Sequence, residues 1–322
     1  MISFVLSFYS QFVSTAGVVK TSKDASFVIP RLADKKRQLL QEEPKGPKSY
    51  FNEQTKSDAT VIVLSSLIPT HPSIHMINRT ITSVRSKIHG LHGPKIIITV
   101  DGLPLRSTRR RKRNPVEDIN QFEENIDRIE KYTDTLRKYF YNDPSVTILA
   151  HAKHLHISNN IQNALDYVDT KYVYIVQHDF EFIRQVNHTE IINAMENDPD
   201  VLRIVRFDKG NDIESVNHYH YRLKSNGCKV QKYQNESKFI LAQWSDNNHI
   251  TTKDYYREAF EMMGPTPRIV EHFFMANWRK LDCFYANQWL YKYEPGNPFL
   301  NHLDGRQTLS LSNSSSMATA TG

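Results

Sequence analysis

KYVYIVQHDFEFIR, residues Lys171–Arg184, changes character half-way along. Tyr172-Val173-Tyr174-Ile175-Val176 is a run of aromatic and β-branched residues without alternation, the pattern of a strand buried on both faces. Gln177-His178-Asp179 then turns polar, and Glu181 follows two residues later. In an open α/β sheet, ligands bind outside the carboxyl ends of the strands. Asp179 and Glu181, spaced i and i+2, can project to one side there and form a candidate cation site. The same two carboxylates would also serve simply to solvate a strand exit.

Working outward, strands and helices alternate. Ala59–Leu64 (ATVIVL) predicts a first strand and Ser73–Ile88 a helix; Lys95–Val100 (KIIITV) predicts a second strand ending at Asp101-Gly102. Val116–Phe140 carries Ile119, Phe122, Ile126, Ile129, Tyr132, Leu136 and Phe140 at helical spacing. Ser145–Ala150 is a third strand and Asn159–Val168 a helix. The opening stretch supplies the fourth strand, Thr189–Glu196 a helix and Val201–Phe207 a fifth strand. This order predicts an α/β fold with a mostly parallel sheet flanked by helices on both sides. From Asp208 the pattern breaks, and Asn217–Gln234 has no period. Phe239–Trp244 returns as a strand, and Ser245–His249 is polar. Thr251 or Thr252 can cap a helix over Lys253–Met263; Gly264-Pro265-Thr266-Pro267 stops it, and Arg268–Trp278 forms another.

At 322 residues, with 39% hydrophobic and 24% charged side chains, the composition is that of a globular protein. A net charge of +6 suits an anionic ligand without demanding nucleic acid. Arg109–Arg113 offers a nuclear address, a phosphate contact or a proteolytic site, but Ser107, Thr108, Asn114 and Pro115 make it a solvated loop. Two cysteines, Cys228 and Cys283, exclude a disulfide framework and cannot alone make a structural zinc site. Residues 1–19 hold no charge and have the look of a short signal peptide or anchor, with Ser14-Thr15-Ala16 as a cleavage site. Asn-x-Ser/Thr sequons at Asn78, Asn187, Asn235 and Asn313 are compatible with that route. The expected setting is the secretory pathway or Golgi lumen, with weak membrane association through the amino terminus; the cytoplasm is the alternative. Residues 20–57 form a polar stem, residues 58–307 the folded domain, and residues 308–322 a disordered tail.

Five motifs carry a family resemblance: VIVLSSL at Val61–Leu67, QHDFE at Gln177–Glu181, WSDNNH at Trp244–His249, VEHF at Val270–Phe273 and HLDGR at His302–Arg306. In this order of elements the chain resembles a GT-A (Rossmann-like) nucleotide-sugar glycosyltransferase of the family-2-like branch, with an acceptor-side carboxyl region. The resemblance implies transfer of a sugar from a nucleoside-diphosphate donor to a glycan, protein or lipid hydroxyl, with inversion. The family's acidic motif is usually Asp-x-Asp; here Glu181 takes the second place, and its longer arm changes what it can reach.

Sugar transfer builds negative charge on a departing diphosphate, which a divalent cation neutralises as a Lewis acid. Asp179 and Glu181 with His302 are the expected ligands of Mn²⁺ or Mg²⁺. The resemblance places Ser65 and Ser66 at the nucleoside, with Asp179 at the nucleotide. Asp101 either binds base or ribose hydroxyls or forms an Asp-Gly turn. Glu271, near a helix start, is the expected base and Asp246 the second choice; a carboxylate at a helix start also serves as a dipole partner. Arg79 and Lys87 are expected as solvated charges. Tyr219, Tyr221, Trp244, Tyr285, Trp289 and Tyr291 suit either an acceptor groove or a core. Two rival classes remain. A nucleotidyltransferase would want a Gly-rich, basic loop after the first strand, and Ser65–His71 has none. A non-catalytic basic binding protein would show steeply salt-dependent nucleic-acid binding.

Overall fold

Alternate residues of the first strand face two separate cores. β1 (Ala59–Ser65) is buried throughout. Its Val61 and Val63 join one apolar cluster, while Ile62 and Leu64 join another. β3 (Lys95–Val100) and β5 (Tyr172–Gln177) divide in the same way, Ile96 and Tyr174 to one side, Ile97 and Ile175 to the other. A strand covered on both faces has no polar face to alternate with, which is why these runs are uniformly apolar. Ile62→Ala in such a site costs about 2–5 kcal/mol.

The computed structural model describes residues 57–103, 115–210, 238–242, 244–264, 270–277 and 288–303. Outside the described residues lie the expected signal segment and stem, Arg109–Arg113, Tyr219, Tyr221, both cysteines, Tyr285 and the carboxyl tail. On one face of the sheet pack α1 (His75–Lys87), α2 (Pro115–Tyr139) and α4 (His188–Asn197), through Ile77, Ile81, Tyr132, Leu136 and Ile191. The other face is covered by α3 (His156–Leu165), α5 (Lys253–Met263) and α6 (Val270–Asn277), through Ile161, Tyr256, Phe260 and Phe274. Thr252 caps α5 as expected, its hydroxyl accepting from Tyr255 N at 3.2 Å. Asn187 does the same for α4. Among the described residues no helix is long and apolar enough to cross a membrane.

The remaining strands are β2 (Ile88–His89), β4 (Val146–Ala150), β6 (Phe180–Phe182), β7 (Val186–Asn187), β8 (Ile204–Arg206), β9 (Phe239–Ala242), β10 (His249–Thr252), β11 (Gln288–Tyr291) and β12 (Leu300–His302). The main sheet runs β4-β3-β1-β5-β10-β8-β11-β9. Its first four strands are all parallel, with Val61 opposite both Ile96 and Tyr174. The second half is mixed, and four of the seven pairings in the sheet are parallel. The short strands differ from the sequence expectation, β10 most of all: it looked like a turn and a helix cap, yet it lies antiparallel between β5 and β8. HITT is too short to announce a strand alone; pairing with buried neighbours on both sides makes it one. Beside the main sheet, β6 pairs with β12 and β2 with β7.

Candidate functional site

Beyond Gln177 the chain turns at His178 and Asp179 before re-entering as β6. His178 points inward: its backbone N–H donates to Leu64 O at 3.0 Å, and Thr80 Oγ1 donates to the His178 carbonyl at 2.8 Å. Burial lowers the His178 pKa, with the Asp179 charge pulling the other way. This anchorage fixes Asp179 at the surface end of β5. Its carbonyl accepts from Leu303 N at 2.7 Å, and its Oδ2 lies 3.1 Å from His302 Nε2. The Oδ1 atom is buried and has no hydrogen-bond partner among the described residues. The His302 ring rests on Phe180, with centroids 4.8 Å apart.

Glu181 is engaged elsewhere. Arg79, from α1, donates Nε to Oε2 at 2.9 Å and Nη2 to Oε1 at 2.6 Å. Asn301, its cross-strand neighbour, donates to Oε1 at 2.9 Å. Arg79 was expected as a solvated charge; instead it forms a two-pronged ion pair, because α1 packs along β6 and brings it within reach. Asp179 and His302 therefore meet, but Glu181 does not join them. Among the described residues, no three His, Cys, Asp or Glu side chains are gathered closely enough to hold a metal ion. The expected three-ligand cation site does not fit this arrangement: the second carboxylate already has a guanidinium on both its oxygens.

The expected base and its alternate do meet. The loop between β9 and β10 is tied to the end of β5. Gln177 donates Nε2 to Asp246 O at 2.8 Å and its N–H to Asn248 Oδ1 at 2.9 Å. Gln288, from β11, brackets Ser245 through its N–H and carbonyl at 2.8 and 3.0 Å. Asp246 and Glu271, 25 residues apart in sequence, then exchange contacts. Glu271 N donates to Asp246 Oδ1 at 3.2 Å, and Asp246 N donates to Glu271 Oε2 at 3.2 Å. Asp246 thus receives an N–H from the first turn of α6, where a negative charge is favoured. Burial, then the Glu271 charge, raises the Asp246 pKa to about 7, with the Glu271 backbone N–H opposing them. Two carboxylates in one place ionise stepwise, so this pair holds a proton near neutrality that it can release or accept.

The residues expected at the nucleoside are set differently. Ser65 is buried, with its hydroxyl 3.0 Å from Tyr132 OH and its carbonyl accepting from Asp101 N at 2.8 Å. Ser66 is exposed. Asp101 is buried, with Oδ2 2.8 Å from His154 Nδ1 and Oδ1 accepting from Leu155 N at 2.7 Å. It pins the β4–α3 loop with both oxygens. Trp244, Trp289 and Tyr291 are buried in the core, so these three rings do not line an acceptor groove. A cleft of about 460 Å³ exists between α3 and α5, lined by Gln162, Asp166, Arg257 and Glu261, and none of the candidate residues borders it. Sequence inspection missed Arg79, Gln177 and Asn301 as members of the site. Their partners lie 102, 69 and 120 residues away, separations that carry no local periodicity.

Strand order β4-β3-β1-β5, helices on both faces and the polar turn at the end of β5 bring the architecture to a point. The fold is Rossmann-like α/β. No protein-family model and no curated protein matches the sequence. Among solved structures, residues 1–349 of S. aureus TarS are 10% identical with a TM-score of 0.41, covering 74% of this chain and 59% of that one. The same TarS segment in complex with UDP gives 9%, 0.40, 74% and 59%. CMP:2-keto-3-deoxy-manno-octonic acid synthetase complexed with CTP gives 12%, 0.40, 73% and 89%. The chain thus spans 59% of the length of the TarS segment. What the chain does is read from its own residues.

Proposed function

We propose that this chain is a glycosyltransferase that moves a sugar from a nucleoside-diphosphate donor to an acceptor hydroxyl. The observation that carries the reading is the Asp246–Glu271 carboxylate pair, fastened by Gln177 to the same strand end that presents Asp179 and His302. A hydroxyl nucleophile needs a base as it attacks. Glu271 is the more accessible of the two carboxylates and takes the acceptor proton; Asp246 holds it and shares the charge. As the acceptor oxygen bonds to the anomeric carbon, the bond to the diphosphate oxygen breaks and that oxygen leaves with the electron pair. A single displacement of this kind inverts the anomeric centre.

The loop after β1 supports transfer over nucleotidyl chemistry. Residues Ser65–His71 contain no Gly, Lys or Arg, so the loop itself has none of the Gly-rich, basic character that a triphosphate cradle uses. A panel of nucleotide sugars, assayed for donor hydrolysis and for transfer to sugar acceptors, tests the proposal. One donor is expected to turn over, with an inverted product by NMR, and Glu271→Gln is expected to bind that donor without transferring it. Turnover of a nucleoside triphosphate plus sugar phosphate instead, or of no donor at all, would overturn it.

A further inference from the structure

Glu181 has three hydrogen-bond donors on its two oxygens, and the geometry of the most distinctive of them is informative. Arg79 uses Nε and Nη2 for Glu181. Its Nη1 has no hydrogen-bond partner among the described residues, and the side chain is 46% exposed while Glu181 is 13% exposed. A guanidinium gripped along one edge by a carboxylate is held in one orientation, which leaves the donors of its other edge for a second anion. Asn301, the third partner, steadies the same carboxylate and adjoins His302 on β12. The Arg79–Glu181 and His302–Asp179 pairs therefore sit on one short ribbon, β6 with β12, just past the carboxyl end of β5.

We propose that Arg79, aimed by Glu181, supplies the positive charge that binds the donor's diphosphate, in the place where a carboxylate-bound divalent cation was expected. This rests on the glycosyltransferase reading. It also accounts for the departure from Asp-x-Asp. The extra methylene of Glu181 reaches a guanidinium on α1, whereas an Asp there would have the shorter arm of a metal ligand. Glu181 is a positioning residue in this account, and Arg79 is the group that touches the phosphoryl oxygens. Planar paired N–H donors match such oxygens, and this contact strengthens as charge builds on the leaving diphosphate.

The test uses the full chain and four probes, UDP, GDP, CDP and ADP, titrated by calorimetry in EDTA and again in Mn²⁺, followed by turnover of the sugar donor built on the tightest binder. The expected result is binding and turnover that agree within about threefold in the two buffers. Arg79→Ala weakens nucleoside-diphosphate binding by roughly ten- to hundredfold, as loss of charged hydrogen bonds should. Arg79→Lys restores part of it, since an ammonium keeps the charge but not the fork. Glu181→Gln weakens binding less than Arg79→Ala does, and the binding that remains is again equal in EDTA and in Mn²⁺, which a metal-holding role for Glu181 would not give. Unaltered melting of Arg79→Ala separates lost binding from lost folding. Binding that appears only with Mn²⁺, vanishes in Glu181→Gln and is indifferent to Arg79→Ala overturns this proposal while leaving the glycosyltransferase reading standing. Failure of all four probes in both buffers overturns both together.

Discussion

The two sides of the sheet treat their polar strand ends in opposite ways. Around β1 and β3, each polar group finds a complementary partner inside the fold: Ser65 meets the Tyr132 hydroxyl, and Asp101 meets a histidine ring and a backbone N–H. Around β5 and β10, two acids face each other: Asp246 and Glu271 each accept the other's backbone N–H, and burial with the Glu271 charge raises the Asp246 pKa to about 7. Complementary partners fix a loop and then have nothing further to offer. Like partners leave a proton that one of them must hold, and a held proton is what hydroxyl chemistry needs. The candidate site is thus distinguished less by carrying polar residues than by leaving them in tension.

The sharpest way to break that contrast is Glu271→Gln. The amide keeps the size and an oxygen acceptor, so nucleotide binding is expected to persist while transfer falls about 10²–10⁴-fold. Normal turnover by this variant would remove Glu271 from the mechanism.

Asp246→Asn comes next. In the wild type kcat/KM is expected to rise with pH through about 7 and then level, following release of the shared proton. The variant is expected to be roughly tenfold slower or worse, with that inflection gone. Stability should move the opposite way with pH. The folded pKa of about 7 lies above the ordinary 3.8, so the folded state holds this proton more tightly than the unfolded chain. The resulting stability is complete below about 4 and is lost as pH rises through about 7, a span worth about 4 kcal/mol. Melting temperatures measured across that window should fall with pH in the wild type more steeply than in Asp246→Asn. Parallel curves would show that Asp246 is not buried as described.

On the other side of the sheet the expected effects are on folding alone. Asp101→Ala takes the acceptor from the half-buried Leu155 N–H and releases the β4–α3 loop, at a cost of about 1–3 kcal/mol in denaturant unfolding. Nucleotide affinity is expected to stay within about twofold; a larger loss would return Asp101 to the nucleoside. Smallest is Ser65→Ala, which leaves the Tyr132 hydroxyl without its partner and costs about 1 kcal/mol in the same measurement.

Much of this was legible in the chain itself. The apolar runs of β1, β3 and β5 and the helical spacing of Ile129, Tyr132 and Leu136 are local signals, and they gave the Rossmann-like half. Asp246 and Glu271 could be singled out because each stands at an element end. Their mutual contact could not, since it depends on where β10 inserts. Arg79 was misjudged for the same reason. From sequence it is one more charge on an amphipathic helix, and only the packing of α1 along β6 makes it a partner of Glu181. Short strands such as β10 and β12 owe their form to neighbours far along the chain, so no window of local sequence contains the cause.

One of those late strands sets a timetable. Asn301 and His302 reach Glu181 and Asp179 from 120 and 123 residues downstream. A ribosome delivers the chain amino end first, and early segments begin to fold as they emerge. The nascent protein can therefore assemble β1, β3 and β5 and tuck α1 against β6 well before β12 exists. Throughout that interval Asp179 lacks the His302 imidazole and Glu181 lacks the Asn301 amide, so this strand end is completed only when β12 has been made.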